Sequence, residues 1–436
     1  MNKKLLLAGL AGILSLATAC KKDDPSPKPT PTPQPGFTIE AKTTDLLQFD
    51  TVRLSAQGAK ADTKFSWVIN GKEVAEGKDY AFTQPRVGRY QVSLVDKASG
   101  EKVSKDFSVT ARFTSGAFLL NEGNFGNETG TLTYIDASKQ FVLDSAYIRV
   151  NGTKLGNVCQ DMTFANGKVY IISQNGPKNG GEGLLTIADA KTLEKYKVIN
   201  DATLAKDWPT HIAVVHSRIY LRGNSGIYRG TEEGSFKLIP GTEKANKLRM
   251  VTIGELVIAT TSTNKLLVIQ DEEVKQTFTL PEGSPSGLAL APDGQLWLSY
   301  SKPNTLAKVS VSASGVKILD KHTTTQSLDK QWTATSAIFA RANQIFFTEQ
   351  SSVIYRHDFS TGETKEIVDV QKVDKQAKMY YNSLGIDPKT GHIYYASFDD
   401  YSTYKKNVTL VLDHDGKVLL KREHVNAFPA GFYFIP

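Results

Sequence analysis

The chain has 436 residues, of which 40% are hydrophobic and 22% are charged, and this is the composition of a globular protein with enough apolar material for a core. Its two cysteines exclude a disulfide scaffold and a thiolate-rich metal cluster. The 52 Lys and Arg residues exceed the 45 Asp and Glu residues by seven, without a long basic block. This charge pattern favours a solvated surface over nucleic-acid binding.

Residues 1–19 have the pattern of a secretory signal peptide. Lys3 and Lys4 precede an apolar run over residues 5–19, which is shorter than the ~20 residues that span a bilayer. The run ends in Ala-Thr-Ala before Cys20, and this sequence resembles the lipobox of bacterial lipoproteins. The resemblance implies that Cys20 is acylated and anchors the mature chain in a membrane. The alternative is a plain signal peptide that happens to contain a cysteine.

Residues 20–36 are predicted to form a lipidated tether. The sequence KKDD over residues 21–24 resembles the surface-export signal of Bacteroidetes lipoproteins, in which acidic residues follow the lipidated Cys. Residues 25–35, PSPKPTPTPQP, contain six prolines and predict an extended polyproline-type segment of ~3.1 Å per residue. The tether is therefore expected to lift the following domains off the membrane.

Residues 37–112 predict a small β-sandwich. Short apolar strands alternate with turn signals such as Asn70-Gly71, and a single Trp67 lies in a central strand. This pattern is typical of an immunoglobulin-like sandwich. The stretch GRYQVSLVDKASGEK, residues 88–102, resembles PKD-type domains, and we interpret the sandwich as a spacer.

Residues 113–436 carry an internal repeat of four short strands, which is the anatomy of a propeller blade. One unit begins MTFANGKVYI at Met162, and related units follow along the chain. A large apolar residue marks each second strand, and the seven markers span 276 residues, a mean repeat of 46. The markers are Phe118, Tyr170, Tyr220, Val257, Trp297, Phe346 and Tyr394.

The two ends of this region complete one another. The marker at Phe118 has no first strand before it, and the C-terminal segment FPAGFYFIP has no second strand after it. We therefore predict an all-β chain in which a seven-bladed propeller is closed by the C-terminal strand, which removes exposed sheet edges. The alternative is a second sandwich or an open array of repeats.

Two sets of loops are expected on one face of the ring, namely those that precede each first strand and those between second and third strands. They carry aromatic rings and amides with few charges, which suits a bulky polar ligand with flat or apolar surfaces. Several of these aromatics could instead pack between blades. The predicted ligand-binding residues are Asn124, Phe125, Asp161, Asn175, Trp208, Asn224, Tyr300, Trp332, Tyr381, Asn382 and Tyr401.

The sequence offers little for catalysis. Its seven histidines show no zinc-type spacing, and it has no nucleophile elbow and no phosphate-binding glycine loop. Propellers of the lactonase type hold an axial metal, which Asp161 and Asn382 could supply in part. We predict a non-enzymatic protein without catalytic residues, metal or cofactor, with a lactonase-like hydrolase as the less favoured alternative.

Residues 116–136, GAFLLNEGNFGNETGTLTYID, resemble the opening of a Bacteroidetes family of YncE-like surface β-propeller lipoproteins. Members combine a lipobox, a short sandwich and blades of this kind, so the resemblance covers nearly the whole chain. In the BtuG-type branch the proteins capture cobalamin and pass it to a TonB-dependent outer-membrane transporter. The resemblance implies that the loop NEGNFG, residues 121–126, faces the ligand.

These observations predict an outer-membrane lipoprotein, facing the cell exterior, that binds cobalamin or a related corrinoid or chelate. The expected partners are a TonB-dependent receptor, the nutrient ligand and the membrane, and not nucleic acid. The alternative from another class is a cell-surface adhesion or surface-layer protein that uses the sandwich and the ring as interaction modules.

Overall fold

The structure is a computed structural model that describes residues 36–329, 336–380, 383–425 and 428–436. Strands dominate these ranges, which confirms the all-β prediction. The predicted signal segment, Cys20 and most of the tether lie outside the described residues. No helix in the described ranges is both long enough and apolar enough to cross a bilayer.

The N-terminal region consists of two sheets that enclose their own core. The eight strands are β1 (Thr38–Ala41), β2 (Asp45–Leu47), β3 (Thr51–Gln57), β4 (Phe65–Ile69), β5 (Lys72–Glu76), β6 (Asp79–Thr83), β7 (Gly88–Asp96) and β8 (Lys102–Thr110). One sheet has the order β1-β3-β6 and the other β2-β8-β7-β4-β5. Trp67 lies opposite Leu94 in the register of β4 and β7, and both side chains are fully buried. The Trp67 Nε1–H donates to the Gly77 carbonyl at 3.0 Å, so the buried indole has its hydrogen bond.

The described residues after Thr110 form seven four-stranded sheets, which we call ring sheets 1 to 7. The strands of each sheet are given in hydrogen-bonded order with the inner strand first. Ring sheets 1 to 3 are β36 (Pro429–Phe434), β9 (Ala117–Asn121), β10 (Thr131–Ile135), β11 (Val142–Leu143); β12 (Asn157–Ala165), β13 (Lys168–Gly176), β14 (Leu185–Asp189), β15 (Lys195–Ile199); and β16 (His211–Val215), β17 (Arg218–Gly223), β18 (Gly226–Thr231), β19 (Gly234–Leu238). Ring sheets 4 to 7 are β20 (Val251–Ile253), β21 (Leu256–Thr260), β22 (Lys265–Gln270), β23 (Glu273–Thr279); β24 (Ser284–Leu290), β25 (Leu296–Ser301), β26 (Thr305–Ser312), β27 (Gly315–Thr323); β28 (Ile338–Arg341), β29 (Gln344–Thr348), β30 (Val353–Asp358), β31 (Glu363–Asp369); and β32 (Leu384–Ile386), β33 (Ile393–Phe398), β34 (Lys406–Leu412), β35 (Val418–Val425).

Short helices occupy some of the connections. They are α1 (Ala146–Asn151), α2 (Ala202–Asp207), α3 (Val370–Val373) and the 3₁₀ turns Lys178–Gly180 and Tyr401–Thr403.

Local sequence explains why the repeats form antiparallel sheets. All seven apolar markers lie in the second strand of a ring sheet, and each is buried. The tight turn between β12 and β13 is made by Asn166 and Gly167, both with positive φ (53° and 71°). Asn-Gly is the residue pair that this turn favours, because neither residue is strongly penalised in the left-handed region.

The C-terminal strand completes the first ring sheet. β36 pairs antiparallel with β9, which places Phe432 opposite Leu119 and Tyr433 opposite Phe118. Each inner strand contacts the inner strands of its two neighbouring sheets, and β36 contacts both β32 and β12, so the circuit of contacts returns to its start. Apolar clusters fill the spaces between adjacent sheets.

A buried carboxylate joins three ring sheets and the segment before β20. Asp161, in β12, accepts a hydrogen bond from the Tyr433 hydroxyl at 2.7 Å and another from the Ile212 backbone N–H at 3.1 Å. The Arg249 Nε lies 3.4 Å from the same carboxylate, and its guanidinium carbon lies 4.5 Å from the centre of the Tyr433 ring. Burial raises the pKa of Asp161, while the Arg249 charge and the Tyr433 hydrogen bond oppose that shift. We call Asp161, Arg249 and Tyr433 the axial cluster.

The N-terminal sheets are attached to the ring by polar contacts. The Gln48 amide is fully buried, and its Nε2 donates to the carbonyls of Pro85 at 2.7 Å and Thr192 at 3.0 Å. Arg112 donates to the Gln48 carbonyl and pairs with Asp50, and its guanidinium carbon lies 4.0 Å from the centre of the Phe141 ring. Since the ring supplies the Thr192 carbonyl and the half-buried Phe141 ring as partners, the contact fixes the N-terminal sheets against ring sheets 1 and 2.

The role of β36 can be tested by truncation. Deleting residues 428–436 removes the buried side chains of Phe432, Tyr433 and Ile435, each worth ~1.5–3 kcal/mol when fully buried, and exposes the edge of β9. We expect loss of the cooperative unfolding transition in calorimetry. Removal of the exposed Pro436 alone is the control and should leave the transition in place. An unchanged melting temperature for the longer deletion would contradict closure by β36.

The axial cluster makes a second prediction. Asp161→Asn keeps the shape of the side chain but leaves Arg249 as a buried cation without its carboxylate. Breaking a buried ion pair from one side costs about 3–5 kcal/mol of unfolding free energy. Urea denaturation followed by tryptophan fluorescence should show this loss.

Its matched control is Asp79→Asn, which breaks an exposed ion pair of 2.9 Å with Arg53 on the N-terminal sheets. Water solvates both partners there, so the urea midpoint should not change. Equal midpoints for the two variants would show that the axial cluster does not stabilise the ring.

Candidate functional site

A cavity of about 440 Å³ opens among the loops at one end of the inner strands. Both predicted sets of loops contribute to it, namely the loops that precede first strands and the loops that join second to third strands. We call it the rim cavity. It is lined by Glu122, Gly123, Asn124, Phe125, Val158, Gln160, Gln174, Trp208, Thr210, Asn224, Lys247, Tyr401 and Phe428.

The loop after β9 presents Phe125 in a fixed position. Gly123 has φ +80°, and a Cβ there would lie 2.4 Å from the Thr129 carbonyl oxygen, so this position requires glycine. The Asn124 side chain accepts from the Gly126 N–H at 2.8 Å, and the Asn124 carbonyl accepts from the Asn157 amide at 2.8 Å. These bonds hold the loop while 52% of Phe125 remains exposed.

Trp208 faces the cavity from the end of α2. The helix is capped by Asp201, which accepts from the N–H groups of Thr203 and Leu204, and it ends at Trp208 in the left-handed region (φ 54°, ψ 71°). Trp208 is 47% exposed, and its ring centre lies 6.4 Å from that of Phe125. The two rings therefore form one aromatic wall.

A second aromatic wall comes from ring sheet 7 and the C-terminal segment. Phe428 stacks on Tyr404 with ring centres 4.7 Å apart and an angle of 12° between the planes. Tyr401 lies 6.0 Å from Phe428 and 5.7 Å from Phe398, and it is 49% exposed. The cavity thus has aromatic surfaces on two sides.

The polar lining consists of a carboxylate, amides, a hydroxyl and an amine. Gln160 is 2% exposed, and its Nε2 donates to the Glu122 carboxylate at 2.8 Å. Burial lowers the pKa of Lys247, an effect that Glu122 opposes and Arg222 reinforces. Arg222 itself donates from Nε to the Ala245 carbonyl at 3.2 Å. Such a lining can hydrogen-bond a polar ligand whose flat or apolar parts rest on the aromatic walls.

The structure brings together five of the predicted ligand-binding residues. Asn124, Phe125, Trp208, Asn224 and Tyr401 all line the rim cavity.

Three predicted residues lie elsewhere. Asp161 is buried in the axial cluster, and the Asn175 amide donates to the Asn157 side chain at 2.7 Å behind the cavity wall. Tyr300 is fully buried in the apolar cluster of ring sheets 4 and 5, because its position near the end of β25 turns the ring into the sheet interface. Trp332, Tyr381 and Asn382 lie outside the described residues.

Eight lining residues are not among the predicted ligand-binding residues, namely Glu122, Gly123, Val158, Gln160, Gln174, Thr210, Lys247 and Phe428. Lys247 lies in the loop before β20, the same class of loop that supplies Trp208, so its position carried a usable signal. The emphasis on aromatics and amides in loops passed over Lys247, which is an amine, and Gln174, which lies within β13. Within the described ranges, no three or more His, Cys, Asp or Glu side chains are grouped to hold a metal ion.

Solved structures share the fold of this chain. A quinonprotein alcohol dehydrogenase-like protein from Bacteroides thetaiotaomicron VPI-5482 is 16% identical, with 90% of this chain and 96% of that chain covered and a TM-score of 0.59. A protein from Lactobacillus plantarum is 11% identical, with 74% of this chain and 100% of that chain covered and a TM-score of 0.50. At these identities the likeness shows a propeller-type fold alone.

Sequence comparisons add two family matches. No curated protein matches the chain. Residues 27–105 match the Penicillin-Binding Protein C-terminus Family. The family described as Domain of unknown function (DUF5074) matches residues 115–435, which is most of the chain, and the protein therefore belongs to that family.

Proposed function

We propose that this protein is a lipid-anchored binding protein on the outer surface of the outer membrane, which captures a corrinoid such as cobalamin for a TonB-dependent transporter. The observation that carries the proposal is the rim cavity, with two aromatic walls around a polar lining. Phe125, Trp208 and Tyr401 are each close to half exposed, so the rings are available to a ligand from outside. A ligand larger than the cavity can rest on them with part of its body in solvent.

The finer architecture belongs to the same proposal. We interpret the ring as a seven-bladed propeller and the N-terminal sheets as a PKD-like or immunoglobulin-like sandwich. The tether would then lead from the acylated Cys20 to the sandwich. Because Gln48 and Arg112 fix the sandwich to the ring, the rim cavity would keep a constant orientation relative to the end of the tether at residue 36.

Ligand binding is tested by isothermal titration with cyanocobalamin. Trp208→Ala should weaken binding by about 2 kcal/mol, roughly 30-fold in Kd, because truncation of a central aromatic contact commonly costs that much. The melting temperature should stay nearly unchanged, since Trp208 is 47% exposed.

Tyr196→Ala is the matched control. Tyr196 is an exposed aromatic on β15 that lies beneath the Lys168 amine, 3.7 Å from its ring centre, and it does not line the rim cavity. The Tyr196→Ala variant should bind cobalamin with the same Kd as the unmodified protein. If the unmodified protein gives no heat with any corrinoid, the corrinoid proposal is wrong, and binding to cell-surface polymers would then favour the adhesion alternative.

The anchor is tested separately with Cys20→Ser. Loss of the acylated thiol should move the mature protein from the membrane fraction to the soluble fraction and abolish labelling with a clickable palmitate analogue. Protease added to intact cells should degrade the unmodified protein if it faces the exterior. Retention of the Cys20→Ser variant in the membrane would contradict lipid anchoring.

A further inference from the structure

A second cavity lies in the channel between the inner strands. It has a volume of about 310 Å³ and shares no lining residue with the rim cavity. Twelve of its fifteen lining residues are apolar, and they come from ring sheets 4, 5, 6, 7 and 1. We call it the channel cavity; Phe339, Phe432 and Phe434 supply its aromatic surface.

The two cavities occupy different depths of the ring. Along the C-terminal segment, Phe428 lines the rim cavity, whereas Phe432 and Phe434, further along β36, line the channel cavity. Along β12, Gln160 lines the rim cavity and the next residue, Asp161, belongs to the axial cluster. The axial cluster therefore lies between the two cavities.

Arg249 is the charged group in the lining of the channel cavity. Its side chain is only 23% exposed, and its Nε has no hydrogen-bond partner among the described residues. The nearest carboxylate, Asp161, is 3.4 Å away and already accepts from the Tyr433 hydroxyl and the Ile212 N–H. A guanidinium carries five N–H donors, and Asp161 and the Tyr433 hydroxyl do not use all of them, which leaves donors for a ligand in the channel cavity.

We infer that the channel cavity binds a small apolar carboxylate, whose carboxylate pairs with Arg249 and whose body packs against the phenylalanines. A planar guanidinium matches a carboxylate in a two-point hydrogen bond. The apolar walls would gain from covering a ring or chain of similar size. The site is separate from the rim cavity and does not depend on the proposed corrinoid binding.

The volume limits the size of the ligand. A cavity of roughly 150 Å³ holds benzene, so about 310 Å³ suits two fused rings or a chain of comparable bulk. A naphthalene carboxylate therefore has the expected dimensions and charge. It also fluoresces, which allows binding to be followed directly.

The test is titration of the mature protein with 2-naphthoate and, in parallel, with its neutral analogue 2-naphthamide. We expect saturable binding of one naphthoate, with the amide at least roughly tenfold weaker because it lacks the charge that pairs with Arg249. Equal affinity for the two probes, or no saturable binding of naphthoate, would overturn the inference.

Two variants locate the site without leaving Asp161 unpaired. Arg249→Lys keeps a positive charge beside Asp161 but loses the planar fork, and Ala340→Phe fills the channel cavity. Each should weaken naphthoate binding roughly tenfold or more. Ala98→Phe, in an exposed turn of the N-terminal sheets, is the control for the added ring.

Trp208→Ala separates the two sites. This substitution should leave the affinity for naphthoate unchanged, although it weakens the binding of cobalamin at the rim cavity. Parallel loss of naphthoate binding in Trp208→Ala, or unchanged binding in a folded Ala340→Phe variant, would show that naphthoate does not occupy the channel cavity.

Discussion

The ring depends on one buried carboxylate at its axis. Asp161 is supplied by ring sheet 2, and its partners come from the last strand of the chain, from ring sheet 3 and from Arg249, two residues before β20. A buried charge is tolerated only when it is paired and hydrogen-bonded. The complete set of partners for Asp161 exists only when ring sheets 1 to 4 are all in place. Apolar packing between neighbouring sheets is less selective, since several arrangements could bury similar side chains.

The same four sheets supply most of the rim cavity. Phe125 and Phe428 belong to ring sheet 1, Gln160 and Gln174 to ring sheet 2, and Trp208 to the segment that leads into ring sheet 3. The axial cluster therefore fixes the relative positions of the strands whose loops carry the aromatic walls. A binding surface on loops gains precision from this arrangement because each loop starts or ends at a strand that cannot shift independently.

The repeat and the closing strand could be predicted because apolar spacing and turn residues report strand positions directly. The candidate site was only partly predictable. Tyr300 and Tyr401 are both tyrosines near loops, yet one is buried between sheets and the other faces the cavity. Their orientation depends on strand register and on packing with neighbouring sheets, neither of which is encoded within a few residues. Asp161 illustrates the same limit, since its partners lie between 51 and 272 residues away along the chain.

The pairing of β36 with β9 has a consequence for the order of folding. Asn121 and its partner Pro429 are 308 positions apart, so the first ring sheet stays incomplete until nearly the whole chain has been synthesised. Contacts of such long sequence separation form slowly, because the entropy of closing the intervening loop must be overcome before they contribute. Until then β9 presents an open edge to other chains. Ring closure therefore cannot precede the synthesis of the strands of ring sheets 2 to 7, and the ring remains open for as long as its C-terminal segment is held elsewhere.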